Sequence, residues 1–159
     1  MSWPRQAVLG ATGLGLGAAL ALHAGVAAST TPPTVAIFPS GAEFRLEVAA
    51  DPASQRRGYM FREHVPADEG MLFVYRETGR RAFWMKNCRV SLDIVWLDAS
   101  SLVVEIAHSL RPCPETGPCP SVEPQRMARH VLEVVGGTAR REGLAVGDLV
   151  TIVPEPSAP

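Results

Sequence analysis

The stretch from Phe83 to Cys88, FWMKNC, concentrates side chains that could do chemistry. Lys86 is the only lysine of the chain, and Trp84 stands two residues before it. In an extended segment, alternation puts Trp84, Lys86 and Cys88 on one face and Phe83, Met85 and Asn87 on the other. An ammonium beside an indole can hold an anion while the ring stacks on a flat ligand such as a sugar. A desolvated lysine would have a lowered pKa and could serve as base or nucleophile. A lysine at a strand end, with its stem over the ring and its charge in water, would do neither.

Four more charged residues invite a role: Arg57, Arg62, Asp93 and Glu133. Asp93 and Glu133 each interrupt an apolar strand pattern, where an unpaired carboxylate is costly to bury. The simplest expectation is ion pairing to Arg57, Arg62 or Lys86, which would brace a helix against the sheet. Two such acids could instead serve a hydrolase acting on envelope saccharide. Met60, Met71 and Met85, with Cys88, offer the soft atoms that hold Cu(I), although methionine in apolar company is ordinary core filler. His64, His108 and His130 are scattered without ligand spacing. No Gly-rich phosphate loop, G-x-S-x-G elbow or H-E-x-x-H pair is present. No catalytic residue, metal ligand or cofactor is therefore assigned. The candidate ligand-binding set is Arg57, Arg62, Trp84, Lys86, Asn87, Asp93 and Glu133.

The N-terminal residues carry a different message. Arg5 precedes an apolar run from Ala7 to Leu22, and Val26-Ala27-Ala28 offers small residues for cleavage before Ser29. That order predicts a secretory signal peptide over 1–28 and a periplasmic, exported protein. If the segment is retained, it would anchor the chain to the inner membrane. Residues 29–42 read as a Pro-rich lead-in, 43–153 as a single domain and 154–159 as a disordered tail. In an oxidising compartment, Cys113 and Cys119, flanking PETGP, are expected to form a local disulfide. Closing so short a loop should stabilise by roughly 2–3 kcal/mol on the chain-entropy account. Cys88 is then left over as a buried small hydrophobe or a free thiol. With 15 basic against 16 acidic residues and no basic block, nucleic acid is not an expected partner. The domain is expected to be monomeric.

The elements that must position these residues follow from periodicity. EFRLEVAA alternates as a half-buried strand, and DPASQRR follows with Asp51 as N-cap, Pro52 in the first turn and Gly58 as the stop. GMLFVYRE is the next strand. AFWMKNC and SLDIVWLD are expected to form an antiparallel hairpin. LVVEIAHSL and RHVLEVVGG are further strands, TARREGL is a short helix with Thr138 as its cap, and VGDLVTIV is the last strand. The result is a mainly β (α+β) domain, a curled sheet or barrel-like fold of about seven strands with two short helices.

RRGYMFRE, EGMLFVY, FWMKNC, SLDIVWLD, HVLEVVGGTA and GLAVGD, in that order and at ordinary spacing, resemble the family called domain of unknown function 192. The resemblance runs from about Phe44 to Val153. Tyr59 stands where leucine is usual and Cys88 where threonine is usual, which removes a hydroxyl from that position. The resemblance implies a small β-barrel-like fold with short helices, often exported or membrane-anchored, and no established activity. Taken together, the expectation is non-catalytic recognition of a small polar ligand at Trp84 and Lys86, or of an envelope protein. The alternatives are the saccharide hydrolase and a periplasmic Cu(I)-binding protein.

Overall fold

The computed structural model describes residues 34–154. The expected signal segment, its cleavage point and the tail beyond Pro154 lie outside the described residues. The strands are β1 (Thr34–Ile37), β2 (Glu43–Ala49), β3 (Glu69–Gly79), β4 (Phe83–Trp84), β5 (Leu92–Leu97), β6 (Val103–Leu110), β7 (Ser121–Val122), β8 (Ala128–Val135) and β9 (Thr151–Pro154). Two short helices, α1 (Pro52–Arg57) and α2 (Thr138–Arg141), complete the described elements. Seven strands form one curled half-barrel sheet in the order β6-β5-β8-β3-β2-β1-β9. β2 and β3 run parallel, joined through α1, and the other neighbours are antiparallel. Among the described residues, no helix is long and apolar enough to cross a membrane.

The centre of the sheet is buried on both faces, whereas β2 leaves one face to solvent. Every residue from Leu92 to Leu97 is buried, as a central strand covered on two sides requires. Its alternate residues serve separate cores. Val95 and Leu97 join Phe44, Leu72, Leu132 and Val134 on one face. Leu92, Ile94 and Trp96 join Tyr59, Met71, Phe73 and Phe83 on the other. Asp93 follows the first set in phase, and Glu133, between Leu132 and Val134 on β8, follows the second.

Local chemistry fixes α1. Asp51 Oδ1 accepts from the N–H groups of Ala53 (2.8 Å) and Ser54 (3.1 Å), and the Ser54 side chain returns to the Asp51 N–H. Pro52 costs nothing in the first turn, where its missing donor has no helical partner. Gly58 ends the helix at φ 45°, ψ −135°, a conformation suited to glycine.

Three expectations require correction. The segment expected as a lead-in contains β1, which bridges β2 and β9; a four-residue strand between prolines and a turn has too little alternation to stand out. β4 and β5 are not hairpin partners. Both edges of β5 are taken by β6 and β8, and β4 pairs with β7 in a separate two-stranded ribbon. Lastly, Thr138 is the first helical residue of α2 rather than its cap. Gly137 holds that position with φ 91°, and no side chain of the cap residue bonds the helix.

Candidate functional site

β4 is two residues long, and three residues past its end Asn87 adopts φ 57° in a turn. Phe83 and Met85 point into the core, whereas Trp84 stays 46% exposed and Lys86 and Asn87 are exposed. The expected alternation thus holds as far as Lys86. The Lys86 ammonium lies 5.2 Å from the centre of the Trp84 ring. Among the described residues it has no acidic partner. Phe61, 59% exposed, also adopts a left-handed conformation at φ 66°, and its N–H donates to the Asn87 carbonyl at 2.7 Å. Two non-glycine residues in sparsely populated backbone conformations therefore hold one another. Such outliers tend to cluster at ligand sites.

The disulfide loop closes the other side. Cys113 and Cys119 are bonded, with Cα atoms 5.3 Å apart. The Met85 carbonyl accepts from both the Cys88 N–H (3.3 Å) and the Cys113 N–H (3.1 Å), so the loop and the turn share one anchor. Between them lies a cleft of about 580 Å³, lined by Phe61, Trp84, Lys86, Asn87, Cys88 and Arg89 on one side and by the disulfide, Pro114, Glu115 and Gly117 on the other. Arg89 is itself paired with Glu63. The Cys88 thiol is half-buried, and burial, then the nearby Glu133 carboxylate, push it up to about 11. It is a protonated thiol at neutral pH and a poor nucleophile.

The remaining candidates divide. Arg62 pairs through both guanidinium nitrogens with Glu47 and lies 5.0 Å over the Tyr59 ring, so the expected bond to a buried acid is not made. That partnership lowers the Glu47 carboxyl below its usual range and raises Arg62. Arg57 is exposed and makes no ion pair among the described residues. The helix is instead braced by Gln55, whose amide donates to the Val74 carbonyl at 2.8 Å.

Asp93 is fully buried and has no counter-ion among the described residues. Its Oδ1 accepts from the N–H groups of Ser109 (2.6 Å) and Gly137 (2.9 Å), and its Oδ2 from that of Ala139 (2.7 Å). It therefore does the capping of α2 that Gly137 has no side chain to do. It is a structural residue, not a member of the cleft.

Glu133 lies on the opposite face, between Met71 of β3 and Ile94 of β5 in register. Asp93 and Glu133 face different cores, so these two acids do not form the facing pair that a glycosidase uses. Glu133 Oε2 is buried with no hydrogen-bond partner among the described residues, and burial raises its carboxyl to about 8. The Tyr59 hydroxyl is likewise buried and unpartnered, and burial raises it well above the usual phenol range. Both line a cavity of about 30 Å³ beneath α1, with Arg57, Gly58, Phe73, Trp84 and Cys88 among its other walls. A Cβ at Gly58 would come within 3.3 Å of Phe73 Cζ and 3.6 Å of Glu133 Oε2, so glycine keeps that cavity open.

Of the soft atoms weighed for copper, Met71 and Met85 are buried in the core and Met60 Sδ takes the Asn87 amide at 3.9 Å. Among the described residues there is no group of three or more His, Cys, Asp or Glu that could hold a metal ion. The structure thus gathers Trp84, Lys86 and Asn87 at one cleft, sets Glu133 and Arg57 at an adjoining cavity, and leaves Arg62 and Asp93 outside both. Sequence reasoning missed Phe61 and Arg89, and it noted Tyr59 without placing it in the ligand-binding set. The departure of Tyr59 from the family's usual leucine was the one signal available.

Residues 35–152 match the model of DUF192, described as an uncharacterized ACR. No curated protein matches the chain. A crystal structure of a candidate transcription regulator from Sinorhizobium meliloti 1021 superposes with a TM-score of 0.67 at 29% identity, covering 76% of this chain and 92% of that one. A protein of unknown function from Novosphingobium aromaticivorans DSM 12444 does so with a TM-score of 0.66 at 34% identity, covering 75% and 83%.

Proposed function

The chain belongs to the uncharacterised DUF192 family, and from that premise we propose that it is an exported, non-catalytic recognition domain for a small anionic, polar ligand. The reading rests on one observation, the 580 Å³ cleft in which exposed Trp84 and Phe61 stand beside Lys86, which has no acidic partner among the described residues. That volume falls in the usual range of small-molecule sites. Rigid aromatic faces and a cation within reach of them suit a ligand with a flat body and a negative group. The Cys113–Cys119 bond fixes one wall and is compatible with a periplasmic setting. A small ligand suits the cleft better than DNA does, despite the name borne by the Sinorhizobium neighbour. The net charge is −1, with 15 basic against 16 acidic residues and no basic block in the sequence, so the extended basic stripe that tracks a DNA backbone has no counterpart here.

A thermal-shift panel of sugars, sugar acids and inorganic phosphate tests the proposal. A ligand that binds only the folded state should raise the melting temperature, and Lys86→Ala should abolish the shift for anions. An anion shift that survives both Lys86→Ala and Trp84→Ala would move the site elsewhere. A null panel would leave a protein partner as the better reading.

A further inference from the structure

The cleft and the small cavity beneath α1 are neighbours: Trp84 and Cys88 line both. Glu133 and Tyr59 line the cavity together with Gln55, Arg56 and Arg57, and Glu133 Oε2 and the Tyr59 hydroxyl are buried with no partner among the described residues. Buried polar groups in folded proteins are almost always hydrogen-bonded, so two orphans at one cavity call for an explanation. Glu133 is held in register between Met71 and Ile94, and Tyr59 lies in the turn that follows α1.

We propose that the two cavities form one two-part site for a sugar acid, with the carboxylate at Lys86 on the rim and a hydroxyl entering the Glu133–Tyr59 chamber. The assignment rests on the cleft reading above and names the ligand class for it. Its size argues for a hydroxyl, since about 30 Å³ is one water's share of the liquid and cannot take a ring. Chemistry argues the same way. A protonated carboxyl and a phenol can each donate to a hydroxyl oxygen, and the carboxyl oxygen can accept its proton. An apolar group there would leave both orphans unpaired. The trapped neutral acid is thus a selectivity device, and Gly58 is the position that leaves room for it.

Calorimetric titration with glucuronate, glucose and cyclohexanecarboxylate tests the proposal. Cyclohexanecarboxylate keeps the ring and the charge but has no hydroxyls. The native protein should bind glucuronate at least about 10-fold more tightly than cyclohexanecarboxylate, as a site built to bond a hydroxyl discriminates against its absence. Glu133→Leu should remove that preference by weakening glucuronate alone, whereas Glu133→Gln should retain it. Lys86→Ala should weaken both carboxylates equally, and glucose should bind more weakly than glucuronate. Should Glu133→Leu fail to fold, Tyr59→Phe, which keeps the volume, should lower the preference. Glucuronate binding that depends on Lys86 but is unchanged in Glu133→Leu and Tyr59→Phe would overturn the two-part site and leave the cleft. Absence of carboxylate binding to the native protein would overturn both.

Discussion

Asp93 and Glu133 are buried acids on neighbouring strands, offset by one position in register, and the fold treats them in opposite ways. Asp93, on one face, receives three backbone N–H groups and closes the N-terminus of α2. Glu133, on the other, lies between apolar neighbours with one oxygen unanswered. A buried carboxylate with full backbone donation needs no counter-ion, because the donors and helix end supply the field that water would have supplied. A buried carboxyl without donors avoids the same cost by staying protonated. One acid is spent on architecture, and the other is held in reserve at a cavity.

The sharpest way to break this contrast is to truncate Asp93. Asp93→Ala should orphan the N–H groups of Ser109, Gly137 and Ala139 together. The Ala139 N–H is buried and the other two are part-buried, so at up to about 3 kcal/mol for the buried donor and about 0.5 kcal/mol for each that water can reach, the loss should be about 4 kcal/mol, a large fraction of the stability of a small domain. Urea denaturation measures it. A loss under about 1 kcal/mol would mean that water replaces the carboxylate, and the two acids would no longer be distinct.

Glu133 predicts a pH dependence of the opposite character. Its carboxyl ionises near the ordinary glutamate value in the unfolded chain and near about 8 in the folded one. Between these values the folded state binds more protons, so stability is greatest at the acid end of the window and falls as pH rises toward 8. From pH 5 to pH 7.5 the loss should be about 3 kcal/mol. His130 works against it: burial, then Arg129, lowers its pKa, so its contribution rises with pH near neutrality. Tyr59 and Cys88 face the same cavity but are raised and titrate above this range. The clean measurement is therefore the difference between native protein and Glu133→Gln across the window. Equal slopes in the two proteins would show that Glu133 reaches water or a partner and is not a trapped neutral acid.

The contrast also marks what a sequence can reveal. β2, α1 and its Asp51 cap, β3, β6 and β8 follow from alternation and capping within a few residues, and those signals are local. The pairing of β4 with β7 is not local, since it depends on which edges of β5 are already occupied. Asp93 and Glu133 look alike in one dimension because both interrupt apolar strands. What separates them is the set of backbone donors delivered by the start of α2 and by Ser109, sixteen and more residues away. Trp84, Lys86 and Asn87 could be picked out as a site from residue type alone. Phe61 could not, because its exposure follows from a left-handed turn held by Asn87.

The smallest expected effect tests whether any arginine speaks to Glu133. Arg62 had the residue type to neutralise it, yet both of its nitrogens engage Glu47 at a half-exposed position. A solvent-screened pair of this kind contributes about 0.5–1 kcal/mol. Arg62→Ala should therefore cost no more than about 1 kcal/mol in urea denaturation, part of it from lost packing over the Tyr59 ring. The more informative reading is the pH slope assigned to Glu133, which should be unaltered in Arg62→Ala. A steeper slope in the variant would mean that the guanidinium had been stabilising the ionised carboxylate across the Tyr59 ring. Glu133 would then be a charge held at a distance, and the opposition with Asp93 would reduce to a difference in how each finds its positive partner.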